Sequence, residues 1–324
     1  MNEKTSFLVI TGSIAFDYLM SFPGDFMEHI KPDKLNKLSL SFLVDEMRKQ
    51  YGGCAPNIAF TLALLGERPV VMGTAGQDFG DYRAWLDAHD IDTSGVRVIP
   101  DVFTASFFVS TDLQQNQIAS FYTGAMAYAR ELSFYDVTTP VDLTIISPND
   151  PLAMQKYPVE CKALGIPYIY DPSQQIVRLD GAALRAGVEG ADILIVNDYE
   201  YELLKDRTGM SEADIRAAVK RAVIVTRGEQ GSHIWAGGEE MVVPIVPPQQ
   251  VLDPTGVGDA YRAGLIKGLA LDLPWRICGQ IGALAATYVL ETHGPQAHTY
   301  TLATFGERYK TVFGEDAFTG IIER

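Results

Sequence analysis

The chain has 324 residues, of which 47% are hydrophobic and 21% charged. That is ordinary globular composition; it excludes a disordered or fibrous chain and needs no disulfide or metal to hold a core. Acidic residues number 41 against 26 basic ones, a formal net charge of −15, which argues against nucleic acid or an anionic membrane as partner.

Residues 1–5 lead into an apolar strand at 6–10, closed by Thr11-Gly12-Ser13. The pattern does not lead one to expect a secretory leader, and no apolar run is long enough to cross a bilayer. Residues 14–50 form a first insertion with Phe22-Pro23-Gly24, Lys31-Pro32-Asp33 and an alternating stretch at 38–44. A helix over 57–65 ends at Gly66, and a strand at 69–72 stops at Gly73. Residues 97–123 form a second insertion, read as an antiparallel hairpin with arms at 104–110 and 117–122. Short apolar strands follow at 142–146, 167–170, 193–196 and 222–226, separated by helices such as 152–164 and 200–208.

This alternation predicts a single α/β domain, doubly wound around a mainly parallel sheet with helices on both faces. The two insertions are expected to pair into a small β-sheet beside it. They read equally as a lid over a site and as a stabilising flap or dimer edge; monomer and homodimer both stay open. Cys54, Cys161 and Cys278 are widely spaced without a CxxC pair, so a reduced, cytoplasmic chain is expected. His293 and His298 sit in a polar Gly/Pro segment and read as surface-loop residues rather than metal ligands.

The stretch Val251-Leu252-Asp253-Pro254-Thr255-Gly256-Val257-Gly258-Asp259-Ala260 carries the chemistry. A turn with two glycines opens directly into a helical pattern. Uncovered backbone N–H groups at a helix N-terminus attract negative charge, which suits a phosphoryl group. Asp259 falls in the first helical turn beside that cradle. There it reads either as a base for an attacking hydroxyl or as a simple helix cap. No Gly-Lys-Ser/Thr follows, so this is not a Walker loop, and a dinucleotide-type Gly-x-Gly-x-x-Gly fails at Arg262.

Together with four other ordered segments, this stretch resembles the signatures of the phosphofructokinase-B/ribokinase family of carbohydrate and nucleoside kinases. The others are Gly52-Gly53-Cys54-Ala55-Pro56-Asn57, Gly73-Thr74-Ala75-Gly76-Gln77-Asp78, Asn197-Asp198-Tyr199-Glu200 and Thr226-Arg227-Gly228-Glu229-Gln230-Gly231. The resemblance spans nearly the whole chain and implies a ribokinase-like fold.

It also implies roles. Asp259 would be the general base, and Gly256, Val257 and Gly258 would form the anion hole. Asn197, Thr226, Gly228 and Gly231 would meet ATP, and Glu200 would organise Mg²⁺ through water. Asp253 and Thr255 lie where some relatives hold K⁺. Asp17, Gly52, Gly53 and Asn57 would bind the sugar hydroxyls. Where ribokinase has an Asn that contacts its sugar, this chain has Ala15, which cannot hydrogen-bond.

Further segments, including Asp171-Pro172-Ser173-Gln174-Gln175 and Thr292-His293-Gly294-Pro295-Gln296, look like those of bacterial and archaeal adenosine or nucleoside kinases. The expected reaction is phosphorylation of a purine nucleoside, adenosine first, then inosine or guanosine, at its 5′-hydroxyl. Phe42, Phe108, Phe121 and Met126 are the candidates to hold the base, with packing inside the lid as the other reading of each. A sugar kinase of the same family is the alternative, and a catalytically silent nucleoside-binding protein a second.

Overall fold

The computed structural model describes residues 6–30 and 40–314. Lys31-Pro32-Asp33 and the beginning of the alternating stretch at 38–44 lie outside the described residues.

In chain order the strands are β1 (Leu8–Thr11), β2 (Ala15–Ser21), β3 (Glu46–Gly52), β4 (Val70–Ala75), β5 (Val96–Val98), β6 (Ala105–Thr111), β7 (Gln117–Tyr122), β8 (Leu143–Ile146), β9 (Tyr168–Tyr170), β10 (Ile193–Asn197), β11 (Ala222–Thr226), β12 (Ser232–Ala236) and β13 (Glu239–Val243). The helices are α1 (Phe26–His29), α2 (Cys54–Leu64), α3 (Gly80–Asp87), α4 (Pro151–Leu164), α5 (Gly181–Val188), α6 (Asp198–Thr208), α7 (Glu212–Ala218), α8 (Val257–Ala270), α9 (Trp275–Leu290) and α10 (Leu302–Phe313).

Nine strands form the large sheet in the order β13-β12-β11-β10-β9-β8-β1-β4-β5. It is parallel from β5 to β11, and β12 and β13 add an antiparallel edge. The central strands read as continuous apolar runs because helices cover both faces. Successive side chains point to opposite faces. Leu8, Ile10, Ile193 and Ile195 enter the core shared with α2, α8 and α9, while Val9, Leu194 and Val196 enter the core shared with α4, α5 and α6. Full burial of each such side chain contributes about 1.5–3 kcal/mol.

From β1 the chain winds out to β4 and β5, then returns to β8 on the other side of β1. That reversal opens a crevice beyond the carboxyl ends of β1 and β8, where doubly wound folds bind ligands.

The second sheet has the order β3-β2-β6-β7. Here β2 pairs antiparallel with β3 and parallel with β6, and β6 pairs antiparallel with β7. The two insertions therefore meet along β2 and β6. The first runs on to Gly52, and the second starts after Val98, because residues 97–98 belong to β5 of the large sheet. The described part of the alternating stretch, 40–44, is irregular; the strand is β3, with the sequence EMRKQYG. Arg48 and Lys49 are thus strand residues. β3 is an edge strand, most of it exposed on both faces, so it shows no apolar alternation, and lysine is a common edge residue. Lys49 Nζ instead lies 3.7 Å from the centre of the Phe16 ring.

Candidate active site

A cavity of about 480 Å³ occupies the crevice. Ser13, Ala15 and Asp17 reach it from the β1–β2 passage, and Gly53, Cys54 and Asn57 from the start of α2. Phe107 and Phe121 come from β6 and β7 of the second sheet, Met126 from the short helical segment after it, and Gln174, Gln175 and Arg178 from the segment after β9. Thr255, Gly256 and Asp259 close it at the start of α8.

The start of α8 is built as a cradle. Gly256 caps the helix with φ of 81°, a left-handed conformation, and a Cβ placed on it would lie 2.5 Å from the Pro295 side chain. The Val257 amide donates to the Pro254 carbonyl at 3.3 Å. The amides of Gly256, Gly258 and Asp259 find no acceptor among the described residues. Three free donors at a helix N-terminus fit a phosphoryl group.

Asp259 stands in that first turn, and its Oδ2 accepts a 2.9 Å hydrogen bond from Asn57 Nδ2. Burial lifts its carboxyl to about 6, while Arg262 and the Asn57 bond pull it down and Asp171 and Asp17 push it up. Asn57 is oriented in turn, since its Oδ1 accepts from Gln296 Nε2 at 3.0 Å. Gln296 Nε2 also donates to Tyr82 Oη at 2.6 Å, and Gln296 Oε1 accepts from Trp85 Nε1 at 3.1 Å. Tyr82 Oη donates to the Gly52 carbonyl at 2.9 Å. One buried chain of hydrogen bonds thus fixes both the carboxylate beside the cradle and the backbone of the Gly52-Gly53 turn.

Asp17 faces the same cavity. Burial, with Asp253 second, raises its carboxyl to about 6. A Cβ on Gly52 would lie 2.4 Å from Asp17 Oδ2, so this glycine is what lets the carboxylate lie against the turn. Cys54 shares the pocket, but burial pushes its thiol well above the ordinary value, so it is no thiolate nucleophile.

Behind the cradle, Arg262 and Asp171 form a buried ion pair, with Nη2 donating to Oδ1 at 2.6 Å. Burial alone would favour loss of the guanidinium proton, but Asp171 outweighs it and keeps Arg262 charged.

Further along the carboxyl edge, Asn197 is paired in register with Thr226. Asn197 and Glu200 cap α6 reciprocally: Glu200 N donates to Asn197 Oδ1 at 2.7 Å, and Asn197 N to Glu200 Oε2 at 2.8 Å. Glu200 Oε1 also accepts from Ser173 Oγ at 3.1 Å. No three His, Cys, Asp or Glu residues among those described could together hold a metal ion. Asn197 and Glu200 offer oxygen atoms, the donor type that suits Mg²⁺, an ion that keeps most of its water and leans on substrate phosphates. Thr226, Gly228 and Gly231 surround the turn after β11 and do not line the cavity; Ser232 Oγ, just after it, lies 2.7 Å from Tyr261 Oη of α8. Asp253 ties two loops, accepting from Thr255 N at 2.9 Å and Gly294 N at 3.0 Å. A cation there would have to share oxygens already engaged.

The structure corrects one sequence expectation, the surface-loop reading of His298, and for Phe42 and Phe108 it shows the packing that was the other reading of each. Phe42 packs edge-on against Phe22 and Phe26, 5.1 and 4.8 Å between ring centres, and does not line the cavity. Phe108 stacks on Tyr18 at 4.7 Å and also stays outside it. Phe107 takes its place, because neighbouring residues of β6 point to opposite faces. His298 is no loop-surface residue: it is 1% exposed and contacts Thr61 Oγ1 at 3.1 Å, and burial lowers its pKa to about 4. Phe121 and Met126 do line the cavity.

Sequence reasoning gave no role to Gln174, Gln175, Arg178 or Gln296, although three of them stand inside quoted segments. Their signal was present but mute without contacts. Arg178, the one basic side chain lining the cavity among the described residues, had no signal at all.

Residues 19–301 match the description "pfkB family carbohydrate kinase". The chain is 27% identical to a nucleoside kinase of Methanothermobacter thermautotrophicus over 97% of this chain and 98% of that one. It superposes on the nucleoside kinase of Burkholderia thailandensis in complex with inosine with a TM-score of 0.85 and 39% identity, covering 95% of this chain and 98% of that one. The nucleoside kinase of Methanocaldococcus jannaschii superposes with a TM-score of 0.83 and 27% identity over 94% and 98%. No helix among the described residues is long and apolar enough to cross a membrane.

Proposed function

The chain belongs to the pfkB family of carbohydrate kinases, and on that premise we propose that it transfers the γ-phosphoryl group of ATP to the 5′-hydroxyl of a purine nucleoside. One observation carries this reading. The same cavity holds a carboxylate at a phosphate-type helix start, Asp259, a second carboxylate, Asp17, and two phenyl rings, Phe107 and Phe121.

Asp259 is the base. Its Oδ takes the proton of the nucleoside hydroxyl as that oxygen bonds to the γ-phosphorus. The bond from the γ-phosphorus to the bridging oxygen breaks, and ADP leaves. The free amides of Gly256, Gly258 and Asp259 hold the equatorial oxygens, and Arg178, which lines the same cavity, adds positive charge. Mg²⁺, when bound, neutralises phosphate charge; Asn197 and Glu200 would hold it through water. Asp17 has two acceptor oxygens for a ribose diol, with Asn57 and the Gly52-Gly53 turn beside it. Phe107, Phe121 and Met126 offer faces on which a purine rests. Gln174 and Gln175 both donate and accept, so they do not by themselves choose between a 6-amino and a 6-oxo purine. The bound inosine of the Burkholderia thailandensis structure supports a nucleoside over a free sugar, as does the methyl group of Ala15 in the pocket wall.

A turnover panel with MgATP tests this. Adenosine, inosine and guanosine should be phosphorylated well ahead of ribose and fructose 6-phosphate. Efficient turnover of a sugar with none of a nucleoside would overturn the nucleoside reading, and no turnover of any acceptor would overturn the kinase reading.

A further inference from the structure

From sequence alone, Arg262 only breaks a glycine pattern, and the reaction above gives it no part. Its placement suggests one. Arg262 follows Gly258 by four residues on α8, and its side chain runs back towards the helix N-terminus. A Cβ on Gly258 would lie 2.7 Å from Nη1. Asp171, just past β9, pairs with one edge of the guanidinium: Nη2 donates to Oδ1 at 2.6 Å, and Nε lies 2.5 Å from Oδ2 without a hydrogen bond to it. Ser147 Oγ, just past β8, braces Asp171 Oδ2 at 3.1 Å. Arg262 is 8% exposed. Its Nη1 has no acceptor among the described residues and keeps access to solvent.

We propose that Arg262 Nη1 is a fixed donor to the transferring phosphoryl group, a phosphate-contacting residue alongside the amides of α8. This rests on the kinase reading. A guanidinium presents its donors in a planar fork; Asp171 occupies the Nε–Nη2 edge, which leaves Nη1 beside the cradle. Neutralising Asp171 engages only Nη2 as a hydrogen-bond donor, and Nη1 stays open to a phosphoryl oxygen. Because Asp171 and Ser147 already hold the fork, no ordering is needed when charge builds up on the phosphoryl oxygens. Gly258 has no side chain at the one place where a methyl group would displace Nη1.

The test uses the full chain and compares binding of ADP with binding of a non-hydrolysable ATP analogue, both with Mg²⁺, in wild type and in Arg262→Lys. Affinity for the triphosphate analogue should fall about tenfold or more, since a contact to its γ-group is lost. ADP and adenosine affinities should change less than about twofold, and kcat should fall about 10²–10³-fold, the usual loss of one such donor. Should the single variant fail to fold, the double variant Asp171→Asn/Arg262→Gln leaves no unpaired buried charge and is read by the same ratio. An unchanged ratio of analogue to ADP affinity in the folded variant, with kcat near wild type, would overturn the proposal and leave Arg262 as a neutraliser of Asp171. A wild type that phosphorylates no acceptor defeats the kinase reading instead, while the affinity ratio still reports on the Arg262 contact.

Discussion

The carboxyl edge of the large sheet and the four-stranded lid meet in one cavity, yet they are built on different terms. Around the start of α8 the polar side chains hold one another: Asn57 holds Asp259, Gln296 holds Asn57, and Asp171 holds Arg262. In the lid, every residue of β7 is exposed, and the rings that reach the cavity do so by strand parity. On the proposed reaction, the contrast makes the edge the part preorganised for chemistry and the four-stranded sheet the part that supplies surface for recognition. Substitutions at the edge should therefore act on rate, and those in the lid on substrate affinity.

Asp259→Asn should break the edge most severely. Loss of the base should lower kcat by about 10²–10⁴-fold with nucleoside affinity nearly intact. A calorimetric titration beside the rate assay checks both; a kcat within a few-fold of wild type would remove Asp259 from the reaction. The same variant should melt higher than wild type at pH 7. The folded carboxyl holds its proton up to about 6 instead of 3.8, so its ionised form opposes folding above that range and the difference fades as pH drops below 4.

Gln296→Leu sharpens the comparison, because Gln296 touches neither cradle nor cavity. Freed from Gln296, Asn57 can turn its amide away from Asp259, and the pull that lowers the Asp259 carboxyl is lost. We expect a loss of about tenfold or more in kcat/KM, of the size that small misplacements cost. In wild type, kcat/KM should fall as pH drops through about 6, since the base must be ionised. In the variant that acid limb should move to higher pH. An unmoved limb would make Gln296 a packing residue only.

The lid effects should be smaller and of another kind. Phe107→Ala and Phe121→Ala should raise the nucleoside KM by about tenfold each, as a lost stacking face does, and leave kcat nearly unchanged. Phe108→Ala, one residue away but on the other face, should change KM by less than about twofold. Equal effects at positions 107 and 108 would show that the lid does not present β6 to the purine by parity.

How much of this could be read in advance depends on the kind of constraint. The helix start after Thr255 was legible because a cradle of free amides demands glycines in order. The parallel sheet was legible because strands covered on both faces must be apolar throughout. The strand β3 was not, since an edge strand with charges on both faces has no period to detect. Phe107 was not, because an alternating run does not say which parity faces the site, and one residue of error exchanges the faces. His298 looked like loop polarity, and only its packing against Phe60 and Thr61 shows it as core.

By itself, then, the sequence determined the wound sheet, the two insertions and the glycine-opened helix with Asp259 in its first turn, for each is set by neighbours a few residues apart. Tertiary structure alone decided that Gln296, 239 positions from Asn57, orients it, and that Asp171, 91 positions from Arg262, fixes its guanidinium. Those bonds depend on how the ends of strands far apart in the chain converge, and no local pattern of side chains encodes where a distant partner arrives.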